Sequence, residues 1–144
     1  MIAVDSNILV YAHRADLPLH TAARGAIDRL ATSRRPWAIP WPCVHEFLAI
    51  VTNPRIFRTP TPTGHAVRQV RAWLGSPAAA TLGEEAHYLD TLAALIESSG
   101  VTGAKVHDAR IAAICLQHAV DELWTADRDF SRFPMVKTRN PLVG

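Results

Sequence analysis

Residues 2–12 read IAVDSNILVYA, and this stretch decides the fold class. The apolar, largely β-branched run at residues 2–4 predicts a strand, which Asp5 ends. Ser6 and Asn7 are typical of the start of a helix, and the apolar residues after them predict its buried face. A strand, a turn and a helix at the start of a chain indicate an α/β protein.

Short apolar strands alternate with longer amphipathic helices through the rest of the chain. Further strands are predicted at residues 37–39, 79–82, 123–125 and near 135–137. The helices between them include one at 84–98, with Leu89 facing inward. This order predicts an α/β fold with a mostly parallel central sheet and helices on both faces. Ligands of such folds bind outside the carboxyl ends of the strands.

Length and composition favour one globular domain spanning residues 1–144, since 49% of the residues are hydrophobic and 19% are charged. The longest apolar runs, 8–12 and 111–116, are far shorter than the roughly 18 to 20 residues of a membrane-spanning helix. The first residues lack the basic flank of a secretory signal. We therefore expect a cytoplasmic protein without membrane contact. Cys43 and Cys115, which form no CxxC pair, are predicted to be buried free thiols.

Four carboxylates stand at positions where a ligand site is expected. Asp5 ends the first strand, Asp127 follows the strand at 123–125, and Asp108 opens a helix. Glu46 lies in a helix that is apolar nearly all round. Each also has an ordinary structural explanation. Asp5 and Asp127 could cap helices, Asp108 could complement a helix dipole, and Glu46 could pair with an arginine.

Convergence of the four carboxylates would have a chemical consequence. Two carboxylates about 6 Å apart repel by roughly 3 kcal/mol at an effective dielectric constant near 20. Either some carboxyls then hold protons with raised pKa values, or a divalent cation neutralises them. Oxygen ligands without clustered His or Cys select Mg²⁺ or Mn²⁺ over zinc. Such ions generate hydroxide and stabilise charge in phosphoryl chemistry.

The charge balance points to a polyanionic substrate. With these four acids set aside, 9 of the 13 acidic residues remain against 15 basic ones, a net charge of +6. A negative site that takes a metal ion, surrounded by positive surface, suits a nucleic acid.

Four sequence segments carry a family resemblance that covers nearly the whole chain. They are VDSNIL at 4–9, Glu46-Phe47, HDARIAA at 107–113 and TADRDF at 125–130. In this order and spacing they resemble the PIN-domain family, in particular the VapC-type ribonuclease toxins. The resemblance implies a three-layer α/β/α sandwich and a Mg²⁺- or Mn²⁺-dependent endoribonuclease that leaves a 5′ phosphate. It also implies a homodimer and a small antitoxin protein as partner.

The resemblance implies a role for each acid. Asp5 and Asp108 match the principal metal ligands. Glu46 matches a third acid, which is shared with a second metal ion or holds the water. Asp127 matches a fourth, more variable acid.

Three further residues match supporting positions of the family. Asn7 and Thr125 correspond to residues that orient ligands or phosphate. Asp129 competes with Asp127 for the role of fourth acid. Asp127 is favoured as the ligand because it is nearer the strand end, and Asp129 is predicted to cap the following turn.

Three alternatives stay open at this point. The chain could be a catalytically inert PIN-fold binding module, although all four acids are present. It could be a nuclease that acts on DNA. It could also be a receiver-like phosphoacceptor domain, which needs a lysine beside its acids, and neither Lys105 nor Lys137 follows a strand in the expected place.

Overall fold

The structure, a computed structural model, describes residues 1–143, and Gly144, the last residue of the predicted domain, lies outside the described residues. The strands are β1 Ile2–Val4, β2 Trp37–Pro40, β3 Ala79–Leu82, β4 Glu122–Trp124 and β5 Thr138–Arg139. The α-helices are α1 Ser6–His13, α2 His20–Thr32, α3 Trp41–Val51, α4 Thr63–Leu74, α5 Tyr88–Ser99 and α6 Val106–Gln117. Short 3₁₀ helices cover Gly103–Lys105 and Arg128–Arg132.

The five strands form one parallel sheet in the order β3-β2-β1-β4-β5. Helix α1 packs against α2 and α3, α3 packs against α4, α5 packs on α6, and the helices flank the sheet. The predicted three-layer α/β/α fold with a parallel sheet is confirmed. Because strand order reverses between β1 and β4, a crevice is expected outside their carboxyl ends.

Every residue of β1 and β2 is buried and apolar. Continuous apolar runs are typical of parallel strands that are covered on both faces. The largest fully buried side chains include Trp37, Phe47, Phe130 and Phe133. A closely packed core of this kind holds the strand ends in fixed relative positions, and the candidate site is built on those ends.

Two predicted elements differ from the observed ones. The last strand lies at Thr138–Arg139 instead of near 135–137, because backbone hydrogen bonds fold residues 130–136 into successive turns. Helix α5 begins at Tyr88, four residues later than predicted, and its inward stripe runs through the partly buried Leu92 and the buried Leu95. Leu89 lies off that stripe and is 71% exposed, so its predicted inward position is wrong.

No helix within residues 1–143 combines the length and the apolar character needed to cross a lipid bilayer.

Candidate active site

The candidate site lies at the carboxyl edge of the sheet, where β1 and β4 end side by side. Val4 is opposite Trp124 in the parallel register, so the next residues, Asp5 and Thr125, are neighbours. The Asp5 backbone N–H donates to the Trp124 carbonyl at 2.9 Å. The Thr125 hydroxyl donates to Oδ2 of Asp5 at 2.7 Å.

Asp5 is a buried carboxylate held by several hydrogen-bond donors. Its Oδ1 accepts the backbone N–H of Ser6 at 2.7 Å, which caps helix α1, and the Cys43 thiol at 3.5 Å. Its Oδ2 accepts the Asn7 amide at 3.2 Å in addition to the Thr125 hydroxyl. The capping explanation of Asp5 is therefore correct, and the same carboxylate also stands at the ligand edge of the sheet.

Burial raises the pKa of Asp5 from 3.8 to about 6. The hydrogen bonds from Thr125 and Ser6 act in the opposite direction, and the nearby charge of Glu46 adds to the rise. Asp5 is only 3% exposed, so water does little to stabilise its charged form. A carboxylate in this situation gains from a cation beside it.

Asn7 and Thr125 bind each other as well as Asp5. The Asn7 amide donates to the Thr125 hydroxyl at 3.1 Å, and its Oδ1 accepts the Ala126 backbone N–H at 3.1 Å. The Thr125 oxygen also accepts the backbone N–H of Asp127 at 3.0 Å. The Thr125 hydroxyl thus uses its one proton and both lone pairs, which fixes its orientation. The predicted supporting residues lie where they can hold Asp5 in one position.

Glu46 reaches the same edge from helix α3. Its Oε2 accepts a 2.6 Å hydrogen bond from the hydroxyl of Ser6, which stands beside Asp5. Glu46 is half-buried. Its hydrogen-bond partner is this hydroxyl, whereas the ordinary structural explanation of Glu46 required an arginine. Sequence reasoning used Ser6 only as a helix-start residue. We call Asp5, Ser6, Asn7, Glu46 and Thr125 the Asp5 network.

A second group of carboxylates lies at the start of α6 and in the turn after β4. One carboxylate oxygen each of Asp108, Asp127 and Asp129 lies within 4.8 Å of the other two. The Lys105 ammonium pairs with Asp129 and lies 3.9 Å from Asp108. We call these four residues the Asp108 cluster. The sequence analysis placed Lys105 away from the acids because it follows no strand, but the turn before α6 brings it to them.

The pKa shifts in the Asp108 cluster have opposite directions. Partial burial raises the pKa of Asp108, and the charge of Asp127 raises it further, whereas Lys105 lowers it. The hydrogen bond from Lys105 lowers the pKa of Asp129. In the same pair the pKa of Lys105 is raised by Asp129. Lys105 thus supplies part of the charge balance of the cluster.

The structure gives the capping role predicted for Asp129 to Asp127. Oδ1 of Asp127 accepts the backbone N–H of Asp129 at 2.8 Å, so Asp127 caps the 3₁₀ helix. The capping role predicted for Asp129 is therefore wrong, because the side chain of Asp129 turns to Lys105 instead. Both carboxylates nevertheless belong to the Asp108 cluster.

The two groups of acids share one region of the molecule. The charge of Glu46 raises the pKa of both Asp5 and Asp108, so it acts on both. Within residues 1–143, the tight group of three carboxylates does not include Asp5 or Glu46. The predicted site residues therefore lie together as two adjoining groups rather than as one tight cluster.

The donor set fits a hard divalent cation. Among the groups described above, carboxylate oxygens from Asp108, Asp127 and Asp129 are spaced closely enough to share one ion. The raised pKa values of Asp5 and Asp108 record charge that the protein alone neutralises incompletely.

The two cysteines are buried and free, as predicted. Burial raises the pKa of Cys115 to about 12 and that of Cys43 well above its ordinary value. Neither thiol is therefore an activated nucleophile.

Comparison with known proteins identifies the family. The family model of the PIN domain matches residues 2–135. Ribonuclease VapC43 of Mycobacterium tuberculosis is 38% identical over 144 residues, which cover all of this chain and 97% of that protein. The crystal structure of M. tuberculosis VapC20, described as a sarcin-ricin loop cleaving toxin, superposes with a TM-score of 0.69 at 18% identity. That match covers 97% of this chain and all of the other.

A toxin–antitoxin complex from Klebsiella pneumoniae has a chain of the same fold, with a TM-score of 0.64, 19% identity and 98% coverage of both chains. These two structural likenesses show the fold, while the family match and the 38% identity over the full chain show the relationship. The chain belongs to the PIN-domain family, within which it groups with the VapC-type ribonucleases.

Proposed function

We propose that this chain is a Mg²⁺- or Mn²⁺-dependent endoribonuclease that acts as the toxin of a toxin–antitoxin pair. The observation that carries the proposal is the meeting of the Asp5 network and the Asp108 cluster at the carboxyl edge of the sheet. Relatives named ribonuclease VapC support the reaction class. Neither the DNA-directed, the receiver-like nor the inert alternative is favoured by these relatives.

The proposed metal ligands are the four predicted acids. Asp5 and Asp108 would be the principal ligands, and Glu46 would be a third acid that holds a second ion or a water molecule. Asp127 is the fourth, with Asp129 beside it in the Asp108 cluster. A bound Mg²⁺ or Mn²⁺ would lower the pKa of a water molecule and stabilise negative charge on the attacked phosphate.

The chain's own residues position the reacting groups. Thr125 and Asn7 hold the Asp5 carboxylate in one orientation, and Ser6 holds Glu46 against it. Because these two carboxylates are already held in place, little entropy is lost in ordering them when RNA binds. The protonated thiols of Cys43 and Cys115 take no part as nucleophiles. The 5′ phosphate that the family resemblance implies requires water to attack the phosphorus and the 3′ oxygen to leave.

Loss of single metal ligands tests the proposal. We expect the purified wild type to cleave RNA with Mg²⁺ or Mn²⁺ and to stop when a chelator is added. Mutation of a residue that only supports a metal ligand typically lowers metal affinity or activity by about 10- to 100-fold. Loss of a ligand itself, in Asp5→Asn or Asp108→Asn, should therefore reduce the cleavage rate by about 100-fold or more. The readout is the rate of cleavage of total RNA, followed by mapping of the new 5′ ends.

Asp28→Asn is the matched control. Asp28 is an exposed carboxylate of α2 that faces Arg24 across one helical turn, so this variant should cleave RNA at the wild-type rate. Circular dichroism should show all three variants folded. Undiminished cleavage by both Asp5→Asn and Asp108→Asn would reject the proposal, and cleavage of DNA but not RNA would favour the DNA-directed alternative.

An antitoxin partner and a homodimer are part of the same proposal. The Klebsiella pneumoniae relative of the same fold was solved as a toxin–antitoxin complex. Coexpression with the small protein encoded next to this chain should relieve growth arrest, and a stable complex that leaves growth arrested would contradict an antitoxin role. In light scattering the free chain should have about twice its monomer mass of 15.8 kDa, and a monomeric mass would reject the homodimer.

A further inference from the structure

A narrow cleft of about 240 Å³ adjoins the candidate site at the carboxyl ends of β4 and β5. The cleft shares two residues with the candidate site, because Thr125 and Asp127 line it. Arg128, Arg139 and Asn140 also line it. The cleft therefore adjoins the carboxylates and has two arginines among its lining residues.

Neither arginine of the cleft forms a salt bridge with a described carboxylate, although Arg139 also lines a neighbouring hollow together with Asp121 and Glu122. Both side chains are exposed. Within residues 1–143 no carboxylate lies within 4 Å of either guanidinium, whereas Arg14 and Arg110 each form such a pair. An anion that enters the cleft would meet two guanidinium groups whose hydrogen-bonding edges are not engaged by an acid.

We propose that this cleft binds a backbone phosphate of RNA next to the phosphate that is cleaved, with Arg128 and Arg139 as positioning residues. The inference rests on the proposed ribonuclease function. An RNA strand carries a negative charge at every nucleotide, so the phosphate beside the cleaved one must pass close to the acids. The planar guanidinium fork matches the geometry of phosphate oxygens and supplies the opposite charge there.

RNA fits these observations better than an acidic protein segment. The cleft shares Asp127 and Thr125 with the candidate site, so the nucleotide next to the cleaved bond lies close to it. An acidic peptide would gain from the arginines but would also meet the carboxylates of the Asp108 cluster. The proposed reaction already requires an RNA phosphate held beside those carboxylates by a divalent cation, and it requires no acidic peptide there.

Salt-dependent RNA binding tests the inference separately from catalysis. The probe is a fluorescently labelled single-stranded RNA, bound in Mg²⁺ by protein that carries Asp5→Asn to prevent cleavage. Because each phosphate contact on a single strand contributes about 0.7 to the slope of log affinity against log salt, Arg128→Ala and Arg139→Ala should each lower that slope by about 0.7. Each should also weaken binding by about 5- to 20-fold at low salt, since a charge-assisted contact is lost.

Arg34→Ala is the matched control. Arg34 is also exposed, but it precedes β2 at the amino edge of the sheet, opposite the site. This control should bind RNA with the same affinity and the same salt slope as the Asp5→Asn protein from which it is made. Arg139→Lys retains the charge without the fork, so it should keep the salt slope and recover only part of the affinity.

Cleavage kinetics in the otherwise wild-type protein provide a second readout. A positioning role predicts that Arg128→Ala and Arg139→Ala raise KM by about 5- to 20-fold and leave kcat within about twofold. In the binding experiment, a slope of log affinity against log salt that is the same for these variants and for Arg34→Ala would overturn the inference. So would a loss confined to antitoxin binding, or a loss of kcat with KM unchanged.

The two proposals fail in different ways. If the wild type cleaves RNA and the cleft variants bind it normally, the ribonuclease function stands and the phosphate site is rejected. If the wild type never cleaves RNA but the cleft variants lose affinity and salt slope, the cleft is an RNA site and the catalytic proposal is rejected.

Discussion

Asp5 and Asp108 are both proposed metal ligands, yet the protein holds them by different means. Asp5 is 3% exposed and is surrounded by neutral donors from Ser6, Asn7 and Thr125. The side chain of Asp108 is 20% exposed and lies beside a cation, Lys105. Neutral donors fix the direction of a carboxylate without cancelling its charge, whereas a lysine reduces the charge and competes with any other cation.

The difference assigns separate tasks to the two groups. The Asp5 network supplies a fixed carboxylate whose charge a metal ion would neutralise in the proposed function. The Asp108 cluster supplies closely spaced oxygens that Lys105 occupies in part. The following predictions test this contrast.

The largest expected effect concerns the stability of the metal-free protein as pH changes. The pKa of Asp5 in the folded state, about 6, lies above its ordinary value of 3.8. Its contribution to stability is therefore fully present below pH 3.8 and is lost as pH rises through 6. The full loss is about 3 kcal/mol, of which about 2 kcal/mol falls between pH 4.5 and 7.5.

Urea unfolding in a chelator at pH 4.5 and 7.5 measures this effect. Relative to Asp5→Asn, the wild type should lose about 2 kcal/mol of its free energy of unfolding when pH rises from 4.5 to 7.5, because the variant lacks the titrating carboxyl. Mn²⁺ should stabilise the wild type at pH 7.5, because it binds only the folded site. A difference that is the same at both pH values would mean that the Asp5 network already neutralises its charge.

Removal of one neutral donor should have the next largest effect. Thr125→Val deletes the hydroxyl that donates to Asp5 and accepts from Asn7 and Asp127. Since that hydrogen bond lowers the pKa of Asp5, the variant should raise it and move the activity profile to higher pH. We expect cleavage to fall by about 10- to 100-fold, as for other partners of metal ligands.

Thr125→Ser separates the hydroxyl from the methyl group of this side chain. It keeps the donor, so its cleavage rate and pH profile should stay close to those of the wild type. Equal losses in Thr125→Ser and Thr125→Val would show that packing, rather than the orientation of Asp5, is what Thr125 provides.

The part of the site that follows strand ends was predictable from the sequence. Residues that leave adjacent parallel strands must lie side by side, so Asp5, Asn7 and Thr125 could be placed together once the strands were assigned. The metal chemistry inferred from the residue types stays a prediction. The pairing of Ser6 with Glu46 did not follow, because it depends on where helix α3 packs against the start of α1.

Other features depend on side-chain direction, which a spacing pattern does not contain. Asp127 and Asp129 lie two residues apart in one turn, and which of them caps it is decided by the local backbone. Lys105 is brought to the acids by a 3₁₀ turn and a long flexible side chain, so its distance from any strand end was misleading. The exposed Leu89 likewise reflects a helix that starts after His87, whose φ of 64° breaks the predicted helix.

The smallest expected effect concerns the cation in the Asp108 cluster. Lys105→Met removes the ammonium that pairs with Asp129 and approaches Asp108, so an incoming Mn²⁺ no longer has to displace it. Because the lysine is half-exposed and such pairs are weak, Mn²⁺ should bind about 2- to 5-fold more tightly by calorimetry. Lys137→Met, which removes a lysine 3.8 Å from Glu122 outside the Asp108 cluster, is the control and should bind Mn²⁺ as the wild type does. Weaker binding by Lys105→Met would mean that the lysine organises the carboxylates instead of competing with the ion, and the contrast between the two groups would then disappear.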